Sequence, residues 1–365
     1  MTERRLTWRT CAAAMGLAAL CFNACSGGRL GSLPDPDARS DAATAPIDPT
    51  TTPDAGHDAE LPPEDGGADA GARPDAGARP DAGSTPVDAG ETNPTGDPIF
   101  VGAGDISSCG SSTNGAQTAG LLDPLFAGGA NPNGVVFTTG DNAYENGTLA
   151  EFQQCYGPTW GRHLARTRPS AGNHDWHSAG AAGYFAYYGS RTGGGSQGAY
   201  YSYEVGAWHV VVLDSFGTSV SAGSAQETWL RADLTAHPSK CTLAYFHAPR
   251  FSSGTHGSST WEDALWKDLY NANVELVITG HDHTYERFAP QDGSGTLDRA
   301  RGVREFVVGT GGDTLYAFGT PVANSEVRYN QSYGVLKLTL HADSFDWRFL
   351  PTSGTFTDIG SEPCH

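Results

Sequence analysis

From Pro98 onward, short apolar and β-branched runs alternate with segments whose apolar residues recur at helical spacing. The short runs predict strands at 98–103, 134–139, 200–205, 208–214, 241–247, 274–280, 304–309, 333–340 and 343–349. The helical spacing predicts helices at 114–126, 148–155, 223–236 and 260–272. The pattern at the end of the chain predicts consecutive antiparallel strands. Strands mixed with helices indicate an α/β domain at residues 98–365, with layers packed on a sheet core.

Residues 26–97 have a different character, because Ala, Asp, Gly and Pro dominate and Pro-Asp-Ala-Gly recurs at 53–56, 74–77 and 80–83. Such a segment cannot bury enough apolar surface to offset its chain entropy, so we expect a disordered tether. It carries 15 acidic and four basic residues, or −11 of the formal net charge of −19. The folded part is also acidic, which argues against nucleic acid as a partner.

Residues 1–25 resemble an export signal. Arg4, Arg5 and Arg9 precede an apolar run at 11–22 that is short for a permanent membrane anchor. A small residue before Cys25 is typical of a bacterial lipoprotein cleavage site and predicts lipidation of that cysteine. We therefore expect an exported protein, held at the outer membrane or cell surface through this lipid alone. Simple secretion, to the periplasm or beyond, is the alternative.

The folded part contains four cysteines, and an even number in an exported chain favours two disulfides. Three pairings are possible. Cys109 and Cys155 each follow a candidate ligand loop, whereas Cys241 starts a predicted strand and Cys364 is next to last in the chain. These positions favour the pairs Cys109–Cys155 and Cys241–Cys364.

Five short blocks place a potential metal ligand beside a glycine or after an apolar run. In chain order they are Gly104-Asp105, Gly140-Asp141-Asn142-Ala143-Tyr144, Gly172-Asn173-His174-Asp175, Phe246-His247-Ala248-Pro249 and Gly280-His281-Asp282-His283. Four of the blocks follow predicted strands. Because open α/β sheets bind ligands at the carboxyl ends of their strands, these blocks should converge on one edge.

Carboxylate, amide and imidazole donors together suit Fe, Zn or Mn. Asp141 is the natural bridge, because one carboxylate can give an oxygen to each of two metals. Two ions roughly 3.5–4 Å apart can clamp the attacking and leaving oxygens of a phosphoryl transfer. Each block alone is compatible with an ordinary turn or a surface histidine. Their occurrence together in one order predicts a two-metal hydrolytic site.

The five blocks resemble those of the calcineurin-like metallophosphoesterases and, among them, the purple acid phosphatases. The resemblance covers most of residues 98–290 and looks like a bacterial member of the group. It implies a four-layer αββα double β-sandwich and phosphate ester hydrolysis. Many relatives carry Asp-x-His in the first block, but Ile106 and Ser107 follow Asp105 here. Residues 140–144 match the purple acid phosphatase pattern Gly-Asp-x-x-Tyr, in which the tyrosine replaces that histidine.

The resemblance implies two metal sites. The first would be held by Asp105, Asp141, Tyr144 and His283, and the second by Asp141, Asn173, His247 and His281. A phenolate from Tyr144 favours Fe(III) in the first site, with Zn(II), Fe(II) or Mn(II) in the second.

In the same scheme His174 acts on the substrate or its leaving oxygen, and Asp175 orients His174. A metal-bound hydroxide would attack phosphorus. His256 and Arg250 follow the fourth block and are candidates for the substrate pocket.

The expected function is therefore the hydrolysis of phosphate monoesters, acid phosphatase-like, on a small phosphorylated substrate. Two alternatives stay open at this point. One is a phosphodiesterase or nucleotidase on the same scaffold, because the motifs do not set the pocket shape. The other is a surface binding protein with incidental catalysis, against which the full set of ligands and His174 both count.

Overall fold

The structure is a computed structural model that describes residues 96–110, 113–193 and 198–365. The predicted signal segment 1–25 with Cys25, and the tether up to residue 95, lie outside the described residues. No helix among the described residues is both long enough and apolar enough to cross a bilayer.

The strands give the domain its frame. They are β1 Ile99–Ala103, β2 Ser107–Ser108, β3 Val135–Thr139, β4 Ala143–Tyr144, β5 Thr167–Ser170, β6 Tyr201–Val205, β7 Trp208–Val212, β8 Cys241–Tyr245, β9 Leu276–Thr279, β10 Tyr285–Phe288, β11 Arg304–Val308, β12 Ser325–Tyr329, β13 Gly334–Leu340, β14 Ser344–Pro351 and β15 Ile359–Pro363. The α-helices are α1 Asn114–Phe126, α2 Leu149–Glu151, α3 Asn173–His177, α4 Ala182–Tyr188, α5 Ala225–Ala236 and α6 Asp263–Asn271. A π-helical turn, Phe152–Tyr156, continues α2.

Two sheets carry nearly all of these strands. The first has the order β15-β14-β13-β1-β3-β5, the second has β12-β10-β11-β9-β8-β7-β6, and β2 pairs with β4 beside them. In the first sheet β1, β3 and β5 run parallel. In the second, β7, β8, β9 and β11 run parallel. Parallel strands end at a common edge, so the loops that follow them are brought together.

The second sheet is buried on both faces, as the alternation of its side chains shows. Val210 and Tyr245 belong to a core cluster shared with the first sheet, whereas Val211 and Ala244 join Leu230 of α5 and Trp266 of α6 in another. Phe100 of β1 meets Tyr245 across the sheets at 5.8 Å between ring centroids. On the first sheet, α1 contacts β13. Two sheets between helical layers confirm the predicted αββα sandwich.

The predicted strands are present, but the hydrophobic pattern missed β5, β10, β12 and β15 and the two-residue strands β2 and β4. Strand β5 includes Arg168 and Pro169, and β12 and β15 are edge strands with half-exposed or exposed residues. Such strands need few apolar residues, so periodicity does not reveal them. The pattern also missed α3 and α4, and α3 coincides with the third ligand block.

Both favoured disulfides are present, Cys109–Cys155 and Cys241–Cys364. The first follows β2, whose Ser108 pairs with Tyr144 of β4. The second joins the start of β8 in the second sheet to the residue after β15 in the first. One link therefore lies beside a ligand block, and the other ties the two sheets together at the chain end.

A buried histidine fastens α5 to the edge of the second sheet. The Nδ1 of His209 lies 2.7 Å from a Glu204 carboxylate oxygen, and its Nε2 lies 2.8 Å from one of Asp233. Burial lowers the pKa of His209, but hydrogen bonds to Asp233 and Glu204 raise it by more, so the net shift is upward. Burial raises the pKa of Asp233, yet hydrogen bonds from His209 and Ser202 leave it below its usual value.

We expect this contact to stabilise the fold over a limited pH range. A raised histidine pKa gives stability that is complete below about pH 6.5 and is lost as pH rises through the folded-state value. A lowered aspartate pKa gives stability present above about pH 4 and lost as pH falls through the folded-state value. The free energy of unfolding of the wild type should exceed that of His209→Gln most between about pH 4 and 6.5. Urea denaturation at several pH values measures this, and a difference that does not vary with pH contradicts it.

Candidate metal centre

The five ligand blocks meet where strands of both sheets end. Asp105 follows β1 and Asp141 follows β3 in the first sheet, whereas His247 follows β8 and His281 follows β9 in the second. Asn173 begins α3, after β5. The predicted convergence of the blocks is therefore seen in the fold.

Four side chains of the ligand blocks form a first group: Asp105, Asp141, Tyr144 and His283. The Tyr144 hydroxyl donates to Asp105 Oδ1 at 3.0 Å and lies 3.2 Å from both Asp141 Oδ2 and His283 Nε2. His283 Nε2 also lies 3.2 Å from Asp105 Oδ1. On its other side, His283 Nδ1 donates to the Thr314 carbonyl at 2.7 Å. That bond fixes the ring so that Nε2 faces the group.

A second group shares Asp141 with the first. His247 Nε2 lies 3.1 Å from Asp141 Oδ2 and 3.1 Å from Asn173 Oδ1. His247 Nδ1 donates to the Thr139 carbonyl at 2.7 Å, so this ring too presents Nε2. Asp141, His247 and His281 each offer one atom that could bind a metal, and these three atoms lie within 4.8 Å of one another. Asp141 Oδ2 is thus common to both groups.

In both Asp105 and Asp141, the carboxylate oxygen that does not contact the other ligand side chains accepts a backbone hydrogen bond. Asp105 Oδ2 accepts the backbone N–H of His281 at 3.0 Å. Asp141 Oδ1 accepts the backbone N–H of His174 at 2.8 Å. Each contact ties one block to another and leaves the second oxygen of the carboxylate directed at the ligand groups.

The backbone around the centre takes up unusual conformations. Asp105, Asp141 and His281 have φ of 59°, 49° and 66°, a region that non-glycine residues rarely adopt. Such strain is typical of functional sites, where the surroundings enforce it. A Cβ on Gly140 would lie 2.5 Å from His247 Nδ1, and one on Gly172 would lie 2.2 Å from Asp141 Oδ1. The blocks approach so closely that only glycine fits before Asp141 and before Asn173.

Charge at the centre is unevenly shared. Burial raises the pKa of Asp141, but the imidazoles of His247, His174 and His281 outweigh it and hold that pKa well below its usual range. Burial lowers the pKa of His247, yet Asp141 raises it to about 9. Burial, together with the charge of His247, lowers the pKa of His281. A proton on His247 thus offsets part of the buried negative charge, a role that a bound cation would take over.

The donor set fits two metal ions. Ligand atoms bound to one ion at about 2.0–2.2 Å lie roughly 3 Å apart, and the contacts of 3.0–3.2 Å in both groups are of that size. The ligand atom of His281 lies within 4.8 Å of those of Asp141 and His247. The donors are carboxylate, phenol, amide and imidazole, which suit Fe, Zn or Mn. Another cluster in the described part of the chain, His209, Asp233 and His237, also has metal-ligand side chains. Both ring nitrogens of His209 already meet carboxylates there, so we assign it a structural role.

His174 lies beside the two groups, at a longer distance from Asp141 than their own members. Its Nδ1 is 2.7 Å from the Glu145 carbonyl oxygen, which can only accept, so Nδ1 carries the proton. Its Nε2 lies 4.0 Å from Asp141 Oδ2. Burial lowers the pKa of His174, but Asp141 and the Glu145 carbonyl more than compensate and raise it. The imidazole thus carries a proton on Nδ1 and directs Nε2 toward the centre.

The expected role of Asp175 in orienting His174 is wrong. The buried Asp175 carboxylate accepts the backbone N–H of Gly172 at 2.9 Å and the side-chain amide of Asn142 at 2.9 Å. It therefore ties the second ligand block to the third. Glu145 orients His174 instead, through its carbonyl and through a carboxylate oxygen 3.3 Å from Nδ1. Glu145 follows Tyr144 directly, but a contact made by a main-chain carbonyl leaves no mark in the sequence.

The two pocket candidates lie in different surroundings. The His256 ring stacks on His281 at 4.0 Å between centroids, beside the second group. Arg250 is 8% exposed, and its Nε lies 2.6 Å from an Asp263 carboxylate oxygen, which is a structural contact. Sequence reasoning missed two further aromatic neighbours. Phe216 lies against His247 and His281, and Tyr316 stacks on His283.

Part of the chain is similar in sequence to curated plant proteins. Probable purple acid phosphatase 20 of Arabidopsis thaliana is 36% identical over 104 residues, covering 26% of this chain and 24% of that relative. Purple acid phosphatase 21 of the same plant is 39% identical over 97 residues, covering 25% and 22%. The matched segments thus span about a quarter of these curated relatives.

Solved structures show the same fold at low sequence identity. The purple acid phosphatase PPD1 from yellow lupin (Lupinus luteus) seeds superposes with a TM-score of 0.60 at 17% identity, covering 72% of this chain and 53% of that one. GAP50, the anchor in the inner membrane complex of Plasmodium, gives 0.53 at 15% identity, covering 71% and 87%. A family model described as calcineurin-like phosphoesterase matches residues 97–285, more than half of the chain. The chain therefore belongs to the calcineurin-like phosphoesterase family.

Proposed function

We propose that this protein hydrolyses phosphate monoesters at a binuclear metal centre, as an acid phosphatase-like enzyme. The observation that carries the proposal is the pair of ligand groups that share Asp141 Oδ2, with contacts of 3.1 and 3.2 Å from that oxygen to His247 and Tyr144. Family membership supports a phosphoesterase, and the curated relatives that match are purple acid phosphatases.

The mechanism follows from which groups face the centre. Two bound metal ions would supply Lewis acidity, activating water and neutralising charge on the phosphate. Asp105, Asp141, Tyr144 and His283 would hold one ion, and Asp141, Asn173, His247 and His281 the other. Water attacks phosphorus, the bond from phosphorus to the ester oxygen breaks, and the leaving oxygen takes up a proton. The products are inorganic phosphate and an alcohol or phenol.

His174 is placed to supply that proton. Its Nδ1–H is engaged by the Glu145 carbonyl, which leaves Nε2 as the atom facing the centre. The raised pKa of His174 keeps Nε2 protonated to higher pH than an ordinary histidine would. A positioned general acid lowers the barrier for expulsion of a poor leaving group.

We propose Fe(III) for the ion beside Tyr144, with Zn(II), Fe(II) or Mn(II) as its partner. Burial and the charges of Asp105 and Asp141 raise the pKa of the Tyr144 phenol well above its usual value. A phenolate at this position therefore needs a strongly charged cation next to it. No histidine follows Asp105 in the first block, so Tyr144 is the fourth side chain of its group.

We further propose that the protein works outside the cytoplasm, as a lipoprotein at the outer membrane or cell surface or as a secreted or periplasmic enzyme. The two disulfides support an oxidising compartment. The proposed partner is a small phosphorylated substrate and not nucleic acid, in keeping with the acidic charge of the chain.

The first prediction concerns the shared carboxylate. Purified protein should release phosphate from monoesters, and chelation of the metals should abolish this. Asp141→Asn should reduce turnover to background, because one neutral amide cannot bridge two cations. The exposed Asp343, which pairs with Lys240 at 3.6 Å, gives a matched control in Asp343→Asn. Phosphate release and metal content decide the matter, and near wild-type turnover in Asp141→Asn would refute a two-metal mechanism.

The second prediction separates His174 from the ligands. His174→Ala should leave metal content unchanged while turnover falls roughly 10²–10⁴-fold, the usual contribution of general acid–base catalysis. The loss should be smaller for substrates with good leaving groups. His177, whose ring is 4.6 Å from that of His174, supplies the control His177→Ala, which should lose less. If metal is lost from His174→Ala, the assigned role is wrong.

The third prediction concerns Tyr144. A phenolate bound to Fe(III) should give the protein a visible charge-transfer band, because the electron-rich ring donates into the metal. Tyr144→Phe should remove the band, whereas a tyrosine that only packs would leave the spectrum unaltered. Absorption spectra with iron analysis of the same samples provide the measurement. A colourless, iron-free and fully active wild type would place Zn or Mn in both sites.

A further inference from the structure

Two aromatic side chains form a shelf beside the second ligand group. The Phe216 ring lies 5.6 Å from the His247 ring and 5.4 Å from the His281 ring, between centroids. The Trp261 ring meets Phe216 edge to face at 5.2 Å. We call Phe216 and Trp261 the aromatic shelf. Trp261 is 44% exposed, so the shelf opens to solvent, and the Phe216 ring contacts both Trp261 and the ligand imidazoles.

The shelf is held in place by specific contacts of the backbone. The buried Asp214 carboxylate accepts the N–H of Phe216 at 3.1 Å and that of Gly217 at 2.9 Å. It also accepts Trp176 Nε1 at 3.2 Å, and a Cβ on Gly217 would lie 1.8 Å from the Trp176 ring. The turn at Phe216 is therefore fixed without burial of the Phe216 ring in the core.

Trp261 is fixed in a similar way on a separate loop. The Ser259 N–H donates to the Pro249 carbonyl at 3.2 Å, and Ser259 Oγ accepts the Trp261 N–H at 3.3 Å. That hydroxyl also donates to Glu262 at 2.6 Å. A single exposed aromatic residue is unremarkable on a protein surface. Two touching rings on separately anchored loops, one of them in contact with ligand imidazoles, instead form a surface that suits another flat ring.

The other rings near the centre differ from the shelf in chemistry. His256 stacks on His281, and Tyr316 stacks on His283, both at 4.0 Å. These two rings carry hydrogen-bonding groups suited to phosphate oxygens. The shelf offers ring faces and edges, with the indole N–H as its one polar group. A substrate would therefore lie with its phosphate at the ligand groups and an apolar, flat leaving group on the shelf.

We propose that the aromatic shelf binds a planar aromatic ring in the leaving group of the substrate, so that aromatic phosphate monoesters are preferred over alkyl ones. The inference rests on the proposed function, because it concerns the leaving group of the same reaction. Two sources share this chemistry. A phenyl ester carries its ring directly on the ester oxygen, which would suit Phe216, the shelf ring in contact with the ligand imidazoles. A nucleoside monophosphate carries its base beyond a ribose, which would suit Trp261 on the far side of Phe216.

The test compares phenyl phosphate, a nucleoside 5′-monophosphate and glycerol 1-phosphate on the metal-loaded enzyme. Stacking of one base on an aromatic side chain corresponds to roughly 5- to 150-fold in binding, and an exposed ring belongs toward the lower end. Trp261→Ala should raise the KM for the nucleotide roughly 5- to 30-fold relative to that for glycerol phosphate. Phe216→Leu should act more on phenyl phosphate. Leu297, which is 47% exposed and lies between β10 and β11, gives the control Leu297→Ala, which should leave the substrate ratios unaltered.

A binding measurement separates failure of the shelf from failure of the proposed function. The wild type should bind phenylphosphonate more tightly than methylphosphonate, as measured by inhibition or by direct binding. Phe216→Leu should reduce the difference in affinity between the two phosphonates. Metal content of each variant is measured alongside. Equal affinity for the two phosphonates, or ratios that do not change in Trp261→Ala and Phe216→Leu, would overturn the shelf. Absence of monoester turnover with a retained preference for phenylphosphonate would overturn the proposed reaction and keep the shelf.

Discussion

The structure of this domain depends on the burial of two carboxylates, Asp105 and Asp141, at one site. Asp105 and Asp141 are 0% and 1% exposed, and the Tyr144 hydroxyl touches both. Removing ionised carboxylates from water is costly unless positive charge or hydrogen bonds compensate. Backbone N–H groups of His281 and His174 compensate one oxygen of each. Imidazoles, and in our proposal metal ions, compensate the others.

The scaffold is arranged to keep that geometry. Parallel strands of both sheets end at the site, and the two sheets share one core cluster, to which Phe100 and Tyr245 belong. The left-handed backbone at Asp105, Asp141 and His281 is strained, and Gly140 and Gly172 allow the blocks to meet. The Cys109–Cys155 bond adds a covalent brace next to the β2–β4 pair that carries Tyr144. Contacts within the fold thus hold the ligand side chains close together, and such support reduces the ordering that ion binding would need.

Much of this could be predicted from the sequence because each ligand block has a local cause. Asp141 and His281 follow a glycine at the end of an apolar strand, so their place at a sheet edge can be inferred. The sequence places Asp175 next to His174 and so predicts a contact between them, but α3 turns adjacent side chains away from each other. The Glu145 carbonyl and the Phe216 ring act through tertiary contacts, for which the sequence carries no signal. The hydrophobic pattern does not predict β12 and β15, because edge strands need little apolar surface.

Sharing of Asp141 by two metal ions is the feature on which the proposed function depends. Anomalous X-ray diffraction from crystals of the metal-loaded protein, recorded at the absorption edges of iron, zinc and manganese, tests it most directly. We expect two anomalous peaks roughly 3.5–4 Å apart, with Asp141 between them. One peak should lie beside Tyr144 and His283 and the other beside Asn173 and His247. A single peak, or two peaks of which only one lies within bonding distance of Asp141, would contradict the shared-carboxylate centre.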